Sequence, residues 1–182
     1  MRTAHWSDRM SITKRGSTLV LVAVVLAGFL ALVAFVVDAA AAYVTRARLQ
    51  SFADAGADAG ATKLSDLVVQ LASAREPNPP EGSDPRAYLT DADRQAILTN
   101  PSVVETVRDY VERNRAGYQL TLDGVEVVYP ISAVQCSEAS LRSVELRVTL
   151  KKNQPFLLGR ILNGNESVFW EVNSLRSMLL CP

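Results

Sequence analysis

Histidine occurs once in this 182-residue chain, as His5, and cysteine only twice, as Cys136 and Cys181. So small a set cannot supply the three or four ligands of a zinc centre, and no metal or other cofactor is expected. No G-x-S-x-G or P-loop pattern occurs, and carboxylate pairs such as Asp91 and Asp93 fit helix capping better than acid–base work. No catalytic residue stands out, so an enzyme is not expected. Excess charge is missing too: 19 basic residues balance 19 acidic ones, which excludes nucleic-acid binding by bulk charge. Proline is absent before Pro77, so nothing breaks a helix sharply between Ser17 and about Arg75. Gly28, Gly56 and Gly60 each weaken such a helix by roughly 1 kcal/mol against alanine.

What the chain does have is a long uncharged run. "STLVLVAVVLAGFLALVAFVV", Ser17 to Val37, spans roughly 30 Å as a helix, the thickness of a bilayer's hydrocarbon core. Arg2, Arg9, Lys14 and Arg15 precede it, and Asp38 follows at once. The positive-inside rule puts the N-terminus in the cytoplasm and the remainder outside, a single pass through the cytoplasmic (inner) membrane. Arg15 and Asp38 then mark the two membrane boundaries, with Tyr43 as an interfacial aromatic. The rival reading is a cleaved secretory signal, for which "DAAAAY" offers A-x-A patterns, although its apolar region would be shorter. Outside the cytoplasm two cysteines favour a Cys136–Cys181 disulfide over two free thiols.

Beyond the span, "RARLQSFADAGADAGA" is small and smooth. Leu49, Phe52, Ala53, Gly56 and Gly60 form a helix-packing face, and the apolar stripe runs on through Lys63, Leu67 and Gln70, widened by Leu64, Val68 and Leu71. Gly56 and Gly60 stand in G-x-x-x-G spacing, which lets another backbone come close. Asp54 and Asp58 would then face water or a basic partner. The expectation is a helix docking on partner helices; the plainer alternative is that the chain's own domain folds back over the stripe.

"EPNPPEGSDP" is a linker. "LTDADRQAILTN" predicts a short helix capped by Thr90, and "NPSVVETVRDYVERNRAG" a longer one capped by Asn100, with Val103, Val107, Tyr110 and Val111 on one face. The pattern then alternates. "YQLTLDGVEVVYP" predicts a hairpin across Asp123-Gly124, "SVELRVTLK" a strand, "QPFLLGRILNG" an apolar connection, and "ESVFWEVNSLRSMLLC" one long or two short strands. The fold class is α+β: residues 1–16 cytoplasmic, 17–37 in the membrane, 38–75 an exterior helical rod, 76–85 a linker. Residues 86–182 form a small domain with two helices and a three- or four-stranded, mostly antiparallel sheet.

Several of these residues occur together in a known pattern: Arg15-Gly16, the span, Asp38, Arg46, Arg48, Leu49-Gln50, Ala53-Asp54-Ala55 and Ala59-Gly60-Ala61. This stretch resembles the N-terminal region of the TadE/TadG-like proteins of Flp (tight-adherence) pilus assembly, with Phe52, Gly56 and Asp58 departing from it. The resemblance implies a membrane-anchored, pilin-like or pseudopilin-like assembly subunit of a pilus or secretion apparatus. Its partners would be other subunits of that apparatus, met through the N-terminal helix in a homo- or hetero-oligomer, together with membrane lipid. Some relatives are cut by a prepilin peptidase after the glycine, which corresponds to Gly16–Ser17 here; processed members usually carry glutamate five residues on, where this chain has Leu21. The alternative in a different class is a membrane-tethered extracytoplasmic binding module with the helix as a spacer.

Overall fold

Alanine-rich sequence without proline winds into one element, α1, Ser7–Arg75. The computed structural model describes residues 7–131, 134–136, 142–156 and 167–182, with side chains given from Ser17 onward. The apolar connection after Phe156 and the Arg15 side chain lie outside the described residues. The chain divides into two units, Met1–Tyr43 with Pro155–Ser167, and Val44–Gln154 with Val168–Pro182.

In the first unit α1 carries apolar side chains outward on every side from Leu19 to Val37. A helix in water hides one face. This one hides none of its most apolar window and is long and apolar enough to cross a membrane. Further along, Asp38 is buried, at 8% exposure, and so is Ala42. Tyr43 is 75% exposed.

The second unit holds the core. Besides the rest of α1 it contains α2 (Asp91–Leu98), α3 (Pro101–Gly117), β1 (Gly124–Val128), β2 (Ser143–Pro155) and most of β3 (Ser167–Leu179). The strands form one sheet in the order β1-β2-β3. β1 runs antiparallel to β2, from Gly124 opposite Lys151 to Val128 opposite Arg147. Leu180 N–H donates to Arg142 O at 2.9 Å, and Thr149 Oγ1 meets Asn173 Oδ1 at 2.6 Å, so numbering falls along β3 as it rises along β2. That pairing is antiparallel as well.

Strand alternation sorts β2 cleanly. Val144, Leu146, Val148 and Leu150 are buried on one face. Two apolar clusters form around them: Leu49, Phe52, Ala53 and Ala57 of α1 with Val107 and Val111 of α3 in one, and Leu64, Leu67, Val68 and Ala72 with Ile97, Val103 and Leu180 in the other. Tyr129 packs against both clusters, and its hydroxyl donates to Ile97 O at 2.9 Å. Burial pushes that phenol above its ordinary range.

Three expectations need correcting. The hairpin across Asp123-Gly124 does not form. Asp123 N–H donates to Lys151 O at 2.9 Å and its carboxylate accepts from Asn153 N–H, so the dipeptide starts a strand paired with β2. Leu120 and Leu122 pack on the core instead of forming the hairpin's other arm. Tyr110 turns away from the face of Val103, Val107 and Val111 and is exposed, stacked near Arg113. Gln70 is exposed and Lys63 only half-buried, because the buried stripe shifts to Leu64, Leu67, Val68 and Ala72.

The ends of α1 and α2 are tied together by charge. Thr90 caps α2 in a capping box with Asp93, and Arg75 grips the same carboxylate through Nε at 3.1 Å and Nη2 at 3.0 Å. Arg75 first, then Thr90, holds the Asp93 carboxyl well below the usual carboxylate range. A carboxyl depressed on folding stabilises the fold above its unfolded value, near pH 4, and loses that contribution as pH falls through the folded value. The protein is therefore expected to lose thermal stability steadily below about pH 4. Asp93→Asn should be less stable at pH 7 and show a shallower acid slope in pH-dependent melts. Asp84 and Glu112, lowered by Arg86 and Arg115, keep part of that slope in the variant.

Candidate functional site

The face singled out in the sequence lies on α1 at Leu49, Phe52, Ala53, Gly56 and Gly60, three to four residues apart and so on one side of the helix. All of it is buried. A Cβ on Gly56 would meet Val111 Cγ2 at 2.7 Å and Val107 Cγ1 at 3.4 Å. A Cβ on Gly60 would meet Val107 Cγ2 at 2.7 Å and stand closer still to Leu146 Cδ2. The missing side chains leave room for α3 and β2 of the same chain. The expectation of a partner helix on this face is thus corrected: small residues were needed because a helix approaches closely, and that helix is α3.

The flanking acids are likewise answered from within. Asp54 accepts hydrogen bonds from Gln50 Nε2 at 3.2 Å and Ser174 Oγ at 2.7 Å, and Asp58 pairs with Arg176 Nε at 2.5 Å. Asp58 holds the Arg176 guanidinium above its ordinary value. Both contacts pin β3 to α1.

Cys136 and Cys181 form a disulfide with Cα atoms 5.4 Å apart. It fastens the chain's last residues beside Leu180, which is fully buried. The Gly16–Ser17 peptide bond falls inside α1. Among the described residues no group of three or more His, Cys, Asp or Glu could hold a metal ion.

With the small-residue face from Leu49 to Gly60 closed, the long open apolar surface of α1 is the stretch from Leu19 to Val37. Ala23, Ala27, Ala31 and Ala34 follow at steps of four, four and three, a line of small residues missed in the sequence reading although its spacing was readable there. Two further contacts had no sequence signal: Arg46 lies over the Trp170 ring, and Arg48 over Tyr118.

Residues 16–63 match the family model described as putative Flp pilus-assembly TadE/G-like. No curated protein and no solved structure matches the chain. The TadE/G-like region takes in the whole span and the face from Leu49 to Gly60, and stops before α2, α3 and the sheet. So the matched segment supplies the α1 wall of the first cluster, Leu49 to Ala57, while the α1 wall of the second, Leu64 to Ala72, lies beyond it.

Proposed function

We propose that this protein is a membrane-anchored structural subunit of a Tad/Flp-type pilus-assembly or secretion apparatus, acting by packing and not by catalysis. The observation that carries the reading is a coincidence of position: the TadE/G-like match includes residues 17–37, where α1 is apolar on all sides and covered on none. The basic residues before the span favour an N-terminus in the cytoplasm, and the disulfide favours an oxidising compartment for the folded unit. Partner subunits would meet the chain in the bilayer, along Ala23, Ala27, Ala31 and Ala34, where small residues let helices approach and dispersion contacts replace the hydrophobic effect.

A photo-crosslinking side chain at Ala27 tests this in native membranes. The expected result is a defined adduct with another membrane subunit of the apparatus, weakened by Ala23→Leu and Ala31→Leu. No adduct from any face of the span, with the folded unit intact, would contradict it.

A further inference from the structure

Six arginines of the folded unit hold carboxylates: Arg75, Arg86, Arg94, Arg113, Arg115 and Arg176. Arg46 and Arg48 are spent differently. The Arg46 Cζ lies 5.9 Å from the Trp170 ring centroid and that of Arg48 5.3 Å from the Tyr118 centroid. Both side chains are exposed, and among the described residues neither has an ion-pair partner. No acid stands between Asp38 and Asp54, and Asp54 is taken by Gln50 and Ser174. Glu171, beside Trp170, points to the other face of β3 by strand alternation. Lys63, Arg108, Arg142 and Arg147 also have no ion pair among the described residues, but only Arg46 and Arg48 combine that with a ring beneath the guanidinium and a place just after the uncharged run.

Arg46 and Arg48 follow the uncharged run closely, nine and eleven residues after Val37 in the sequence. Helical side chains lean toward the N-terminus, here toward the apolar stretch. A guanidinium over an aromatic face keeps its charge and its outer N–H groups while losing rotamer freedom.

We infer that Arg46 and Arg48, presented by Trp170 and Tyr118, form a docking patch for the phosphates of anionic lipid headgroups. The inference rests on the membrane-anchor reading and adds a lipid preference to it. The patch would hold the folded unit down on an anionic leaflet, where each nearby basic residue is attracted electrostatically.

The test uses the full chain, with Trp6→Phe to leave Trp170 as the single tryptophan, in vesicles of phosphatidylcholine alone or with phosphatidylglycerol. A spin label on the lipid headgroups should quench Trp170 more strongly in the anionic vesicles. Arg46→Gln with Arg48→Gln should abolish that difference, a loss of roughly 30-fold in the docked population. Arg46→Lys with Arg48→Lys, which keeps the charge, should retain most of it. Equal quenching in both lipids overturns the inference, and so does an unchanged difference in a folded Gln variant; an acidic protein partner for the patch would give the first of these. A chain that does not float with the vesicles at all fails the anchor reading instead, so the two failures are distinct.

Discussion

Gly60→Leu is expected to destabilise the folded unit by upwards of about 3 kcal/mol, the upper end of what overpacking a tight core costs. Even the first added carbon collides with Val107 and Leu146, which are fully buried on two different elements, so both must shift to admit it. Gly56→Leu meets Val111 and Val107 and should follow the same direction with a smaller loss. Gly28→Leu provides the control, because nothing lies within 4 Å of its Cβ position and the folded unit should melt unchanged. Melting curves followed by circular dichroism read all three. The outcome also governs how partner experiments are interpreted: a subunit lost after Gly60→Leu is lost because the fold is lost. If Gly60→Leu melted like the parent protein, α3 and β2 could not be seated on α1 as described.

Removing the disulfide by Cys136→Ser with Cys181→Ser is the second large effect. The cysteines are 45 residues apart, and a closed loop of that size restrains the unfolded chain by about 4 kcal/mol in the chain-entropy model. The loss should start at the C-terminal end, since Leu180 packs among Leu64, Ile97, Val103 and Val144 and its N–H is bonded to Arg142 O. Melts with and without reductant should separate for the parent protein and coincide for the variant. Coincidence for both would show that the unfolded state gains nothing from losing the link.

The parts of this fold written in local sequence were readable, and those written in long-range contacts, the Cys136–Cys181 disulfide apart, were not. Thr90 and Asn100 cap α2 and α3 with side chains that reach backbone N–H groups two or three residues away, so their spacing alone located both helix starts. The alternation of β2 reported a one-sided core face for the same reason. Asp123-Gly124 misled because a dipeptide shows which turn is accessible, not which strand competes for it; β2, far along the chain, takes its hydrogen bonds. The face at Gly56 and Gly60 was legible as a place of close approach, but spacing carries no sign of whether the approaching helix belongs to another molecule. Val107 and Val111 stood in the sequence as the buried side of a helix needing a partner, the one signal that could have joined the two. Arg46 on Trp170 spans more than a hundred residues of chain and left no pattern at all.

Hydrogen exchange on the full chain in detergent, without added partners, tests most directly the claim that α1 from Leu49 onward is the core of its own domain. The account predicts that amides of residues 49–68 are protected as strongly as those of Val144–Leu150 and open with them as one cooperative unit. Exchange of 49–68 well before β2, with protection gained only when another subunit is added, would contradict it and return the small-residue face to a partner.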